Sequence, residues 1–163
     1  MTEKIYPHRF ETSVDVNTSP AALFAEMDDH ERLAAHMMKS SAMMAGNAMR
    51  VELDETKGRS IGSKIRMSGD VLGFALELEE VVTERVPPTR KVWETVGEPR
   101  LLVVGNYRMG FEIGKRDGTS RLTVFIEYDD PPAPWGLAGR LLGPIYARWC
   151  TESMAQGAKR WFD

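Results

Sequence analysis

The order of elements constrains this chain most. A strand and two short helices come first, then a run of strands joined by turns, then one long amphipathic segment. From His8 to Val16 the residues alternate, Phe10, Thr12, Val14 and Val16 on one side and Glu11, Ser13 and Asp15 on the other. Strict alternation marks a strand with one buried face. Asn17-Thr18-Ser19-Pro20 follows as a helix start, an oxygen-bearing cap with proline in the first turn. Leu23, Phe24 and Met27 form that helix's apolar stripe. Asp28-Asp29 ends it and caps a second helix expected over about His30–Met38, with Leu33, His36 and Met37 on one face.

The strand run begins with Met49, Val51 and Leu53 set against Arg50, Glu52 and Asp54. A turn at Lys57-Gly58 leads to Ile61, Ser63, Ile65 and Met67, and Ser68-Gly69-Asp70 is expected to turn the chain again. Phe74, Leu76 and Leu78 then alternate with Glu77 and Glu79 until Pro87-Pro88 ends the pairing, because proline donates no ladder hydrogen bond. Lys91–Val96 is the next strand, and Leu101–Ile113 holds another, with Tyr107, Met109, Phe111 and Ile113 opposite Arg108 and Glu112. Lys115-Arg116-Asp117-Gly118 reads as a hairpin turn into Leu122, Val124, Ile126 and Tyr128. Strands joined by turns make an antiparallel sheet, one face solvated and one needing cover. The segment Trp135–Phe162 supplies it: Leu137, Leu141, Leu142, Ile145, Trp149 and Met154 recur at helical spacing. Gly136, Gly139 and Gly143 weaken its first half, and Pro144 is expected to kink it or begin a fresh helix.

This order resembles the START/SRPBCC superfamily, the helix-grip fold also seen in pollen allergens and polyketide cyclase/dehydrase-like proteins. The resemblance rests on Phe10–Val16 before Ser19-Pro20-Ala21, on Gly118–Tyr128, on Val81–Pro88 before Arg90–Thr95, and on the long closing helix; it covers nearly the whole chain. It implies an α+β domain over residues 1–163, a curved antiparallel sheet of about seven strands wrapped around the C-terminal helix, with two short helices after the first strand. Members carry lipids, sterols, plant metabolites or quinones, and some cyclise polyketides; fold alone does not choose among these.

Charge and composition narrow the classes. The net charge of −3, with Lys and Arg scattered, lacks the basic stripe a nucleic-acid surface needs. Met1–Phe10 has no apolar signal core, and no apolar run approaches the ~20 residues of a spanning helix. The lone Cys150 has no internal partner for a disulfide and no basic neighbour to activate it. A cytoplasmic, soluble protein without cofactor or metal is expected, with a homodimer left open. His30-Glu31 lacks the second histidine of a metalloprotease helix, and His30 and His36 are not spaced to share a metal. His36 is the histidine expected on a pocket-facing element, more as a satisfied side chain than a catalytic one.

The expected function is a container. Met37, Met38, Met43, Met44 and Met49 cluster in a chain with ten methionines, as gap-filling core or as an adaptable lid over an apolar ligand. On the sheet's inner face, Ile65, Met67, Phe74, Leu76, Tyr107, Met109, Phe111, Ile126 and Tyr128 are core, cavity wall, or both, with the two tyrosines offering hydroxyls. Two registers are open for Lys91–Val96. If Lys91 faces water, Glu94 points inward as a ligand anchor or acid/base, and Trp93 lies outside beside Phe125 and across Gly110; in the other register Trp93 is inside. The candidate ligand-binding set is Met37, Met38, Met67, Phe74, Leu76, Glu94, Tyr107, Met109, Phe111, Tyr128, Leu141, Ile145 and Trp149. Three functions fit it: a carrier or sensor of a small hydrophobic molecule (lipid, quinone or polyketide-like), a cyclase- or dehydratase-like enzyme using the same cavity, and an interaction module built on Trp93, Phe125 or Trp135–Tyr146.

Overall fold

The structure, a computed structural model, describes residues 4–35 and 49–163. Its elements run β1 (His8–Val16), α1 (Pro20–Met27), α2 (His30–Leu33), β2 (Arg50–Leu53), β3 (Lys64–Val71), β4 (Phe74–Val86), β5 (Arg90–Arg100), β6 (Tyr107–Arg116), β7 (Thr119–Tyr128) and α3 (Gly136–Trp161). The strands form one antiparallel sheet in the order β1-β7-β6-β5-β4-β3-β2, so the first and last strands pair side by side while β1 and β2, consecutive in the chain, lie at opposite rims. Register shifts in the β4–β5 pair, between Glu77 and Glu79 and between Val82 and Glu84, add local twist and help the sheet curl. The concave side holds the core, and α3 packs along β1 and β7.

Local chemistry sets the boundaries. Ser19 caps α1 by accepting from the Ala22 N–H, with Pro20 in the first turn, and Asp29 caps α2 by accepting from the Glu31 and Arg32 N–H groups. The β6–β7 hairpin closes through Asp117-Gly118, with Gly118 at φ 71°. The expected turn at Ser68–Asp70 does not form: Gly69 and Asp70 stay in β3, paired with Leu76 and Ala75. The chain turns instead at Leu72-Gly73, where both residues take positive φ (52° and 81°), as a tight two-residue hairpin turn demands. β6 starts at Tyr107, so Leu101–Asn106 is a connection rather than strand.

The apolar stripe expected on the closing helix faces solvent over its first half, whereas Trp149 is half-buried and Met154 buried. Leu141 and Ile145 are 65% and 53% exposed, and Leu137 and Leu142 also face out. The side of α3 pressed on the sheet is made of Gly139, Gly143, Ala147, Cys150, Thr151, Met154, Ala155 and Ala158. Small residues let the helix approach closely: a Cβ on Gly139 would sit 2.2 Å from Pro131 Cδ, and one on Gly143 would sit 3.1 Å from the Val103 carbonyl oxygen. The glycines thus mark a close contact, not a weak helix, and α3 runs through Pro144 as one element.

Candidate ligand-binding site

Among the described residues, two spaces that adjoin the concave face bear on function. The larger is an open cleft of about 690 Å³ at the sheet's mouth, where the start of β4, the end of β5 and its following connection, and the segment leading into α3 converge. Phe74, Leu76, Leu101, Leu102 and Trp135 give it apolar walls, with Glu98, Arg100, Asp129 and Asp130 around them. Phe74 meets Trp135 edge-to-face, centroids 4.8 Å apart, which gives a partner to a phenylalanine left partly exposed at the strand's first position.

The smaller space lies inside, between β3–β7 and α3, with a volume of about 20 Å³. Glu80 and His30, each 1% exposed, face it with Tyr107, Tyr146, Trp93 and three methionines, Met67, Met109 and Met154. The Tyr107 hydroxyl donates to Glu80 Oε2 at 2.7 Å, and His30 Nε2 stands 3.6 Å from Glu80 Oε1. His30 is oriented by the edge of Trp93, with ring centroids 5.0 Å apart. Burial, then the nearby Glu80 carboxyl, pushes the Tyr107 hydroxyl well above its ordinary range, so it is a donor at neutral pH. Burial likewise pushes the Cys150 thiol up to about 12, which leaves it inert as a nucleophile. Among the described residues no group of three or more His, Cys, Asp and Glu side chains is placed to hold a metal ion.

A buried charge cluster pins α1 to the sheet beside this cavity. Lys91, fully buried, donates from Nζ to Asp28 Oδ1 at 3.0 Å and to the Asp28 carbonyl at 3.2 Å. Arg85 grips the same carboxylate through Nε (3.2 Å) and Nη2 (2.8 Å). Burial alone would raise the Asp28 pKa, but the Arg85 hydrogen bonds and the Lys91 charge outweigh it and hold the carboxyl below its ordinary value.

This cluster corrects the β5 register. Lys91 is not a marker of the wet face; with Asp28 as counter-ion it lies on the concave side, and the parity carries Trp93 and Thr95 inside with it. Glu94 therefore sits on the convex face, half-buried and paired in register with Arg108, away from the cavity. Phe125 does cover Gly110, where a Cβ would come within 2.8 Å of the ring, and Arg9 and Arg90 stack on it at 4.7 and 5.5 Å. With Trp93 and Phe125 both buried, the exposed aromatic patch expected on the sheet does not exist.

The other expected residues separate. Met67, Tyr107 and Met109 line the inner cavity, and Phe74 and Leu76 line the mouth. Phe111 is solid core between Phe24 and Trp93. Tyr128 is buried against His8 and beside Gly143, Trp149 is half-buried against Tyr146, and Leu141 and Ile145 point to solvent from α3. Met37, Met38, Met43, Met44 and His36 lie outside the described residues. Glu80 and His30 are the two residues missed. The signal for Glu80 was present: the inward parity of Phe74, Leu76 and Leu78 lands next on Glu80 and Val82.

A family profile described as polyketide cyclase / dehydrase and lipid transport matches residues 7–160. The chain belongs to that family. The described architecture is its helix-grip fold, and solved structures repeat it at low identity. TTHA0849 from Thermus thermophilus superposes with a TM-score of 0.68 at 13% identity, covering 94% of this chain and 95% of that one. Norcoclaurine synthase from Thalictrum flavum gives 0.66 at 14%, covering 99% and 97%. The Zhui aromatase/cyclase from Streptomyces sp. R1128 gives 0.66 at 11%, covering 94% and 92%. No curated protein matches the sequence.

Proposed function

We propose that this family member is a carrier or sensor that binds a small hydrophobic molecule in the mouth cleft, from which the molecule reaches into the space between the sheet and α3. The cleft carries this reading: about 690 Å³ with apolar walls is within the range of small-molecule sites, ~300–1,000 Å³. Membership in a family described by both cyclase/dehydrase activity and lipid transport supports an apolar ligand. A cytoplasmic setting fits a chain with one buried free cysteine, and among the described residues no helix is long and apolar enough to cross a membrane. The test is native purification, organic-solvent extraction and mass spectrometry against a denatured, washed control. A stoichiometric apolar compound is expected. Protein that carries none, and that takes up no apolar dye at the cleft, refutes the proposal.

One observation favours an enzymatic second reading: Tyr107, Glu80 and His30 converge in the interior, the arrangement a cyclase- or dehydratase-like reaction would need to move protons. A substrate panel separates the two. Turnover falling about 100-fold or more in Glu80→Gln, with ligand binding retained, would establish catalysis.

A further inference from the structure

Glu80 is a carboxyl group with one oxygen bonded and one oxygen unpaired, on a residue that lines the inner cavity. Oε2 accepts from Tyr107, whereas Oε1 has no hydrogen-bond partner among the described residues, although the side chain is almost fully buried. Burying such an acceptor unpaired is costly, and replacing it with an apolar residue would remove that cost, so its place among methionine and aromatic side chains asks for a partner. His30 Nε2, at 3.6 Å, is too far to be that partner, and the Nδ1 edge of the ring faces the Gly58 turn instead. Oε1 and Nε2 therefore stand side by side at the wall of the 20 Å³ cavity.

We infer that Glu80 and His30 form a subsite for one hydroxyl group of an otherwise apolar ligand, an inference that rests on the binding function proposed above. A hydroxyl both donates and accepts, so it can donate to Oε1 while accepting from Nε2–H in the tautomer that carries the proton on Nε2. A ketone or an ester carbonyl brings no donor and would leave Oε1 as it is. Tyr107 is a positioning residue: its hydrogen bond engages Oε2 and leaves Oε1 as the acceptor open to a ligand. The volume fits one water-sized group, which is what a hydroxyl is. Room for the carbon attached to it comes from Met67, Met109 and Met154, unbranched side chains that rearrange at low cost.

The test uses two isosteric probes, 1-naphthol and 1-methylnaphthalene, which differ by a hydroxyl in place of a methyl. Binding is followed by calorimetry and by the methyl resonances of ¹³C-methionine-labelled protein. Wild type is expected to bind 1-naphthol about tenfold or more tightly than 1-methylnaphthalene, as a hydrogen bond to a buried carboxyl implies, with shifts at Met67, Met109 and Met154. In the Glu80→Leu/Tyr107→Phe double variant, which removes both members of the hydrogen bond so that neither is stranded, the preference should fall to about threefold or less through loss of 1-naphthol affinity alone. Equal affinities in wild type overturn the subsite and leave the apolar-binding reading intact. A preference that persists in the double variant overturns it too, since the hydroxyl is then read elsewhere. Methyl resonances unmoved by either probe also overturn it, while the proposed carrier function is decided separately by extraction of the native protein. The wild-type comparison alone decides the matter should the variant not fold.

Discussion

Replacing Gly139 by alanine should invert the sign of a substitution that ordinarily helps a helix. In a helix interior, glycine costs ~0.5–1 kcal/mol relative to alanine, because the unfolded chain has more freedom to lose. At Gly139 the new Cβ would lie 2.2 Å from Pro131 Cδ, 2.6 Å from Pro131 Cγ and 3.1 Å from the Val103 carbonyl oxygen. Carbon atoms rest ~3.5–4.0 Å apart, so α3 must back away from the β7–α3 connection by over an ångström. Overpacking costs ~1–3 kcal/mol, and a 2.2 Å contact belongs at the upper end, ~2–3 kcal/mol; after a propensity gain of up to ~1 kcal/mol, a net loss of ~1–2 kcal/mol remains. Gly157 is the internal control, on the same helix with nothing within 4 Å of its added Cβ. Gly157→Ala should stabilise by ~0.5–1 kcal/mol. For a domain of this size, the pair should move Tm in opposite directions, ~2–8 °C down for Gly139→Ala and ~1–4 °C up for Gly157→Ala. Urea unfolding followed by circular dichroism measures both, with an unchanged slope confirming that the midpoint shift is a stability change. A Gly139→Ala protein as stable as wild type would refute the close contact between α3 and Pro131.

The Asp28 cluster predicts an asymmetry: Asp28→Asn leaves Lys91 buried without a counter-ion and should cost ~3 kcal/mol, whereas Lys91→Met, which leaves Asp28 with Arg85, should cost less than half of that in the same denaturant assay. Because the Asp28 carboxyl is held below its ordinary 3.8, its contribution is complete above that pH and is lost as pH falls below it; unfolding midpoints measured from pH 6 to pH 2 should drop in wild type and drop less in Asp28→Asn. Cys150 behaves in the opposite direction: its thiol, raised from 9.0 to about 12, stays protonated in the fold while the unfolded chain releases the proton. Stability should therefore fall as pH rises above 9.0, less steeply in Cys150→Ala, and iodoacetamide at pH 8 should label the thiol only after denaturation. On α3, Leu141→Ser and Ile145→Ser should each change stability by less than ~0.5 kcal/mol, while Ala155→Leu on the opposite side should cost ~1–3 kcal/mol by thermal unfolding.

Element order, strand parity and caps were legible because each rests on short-range chemistry: a Ser19-Pro20 start, an Asp29 cap, a Gly118 turn, alternation along β1, β6 and β7. The inside of the site was less so. Lys91 misled because a charged residue is taken for a solvent marker, and its counter-ion, Asp28, is 63 positions away in sequence. The α3 stripe misled because apolar size was equated with burial, whereas the first half of the helix is clamped against Pro131 and Val103, where its buried positions are Gly139 and Gly143. Glu80 was overlooked for a related reason: three glutamates in succession along β4, Glu77, Glu79 and Glu80, look like one wet face, although the third changes parity. In each case the deciding partner is remote in sequence, and alternation within a single strand carries no information about it.

Among the described residues the sheet is open, and an open sheet ends in strands whose outer backbone groups lack a neighbouring strand, an invitation to other chains. At one rim, β2 is only four residues long and turns Arg50 and Glu52 outward, too short and too charged to template a foreign strand. At the other, the nine-residue β1 is the longer hazard, and α3 guards it: Thr151 bonds Thr12 at 2.8 Å, and Lys159 reaches the Asp15 carbonyl at 3.4 Å. The helix that walls the inner cavity therefore also holds part of that rim. Opening α3 widely to admit a ligand would bare that rim, which favours entry at the mouth, where the edge strands need not be uncovered.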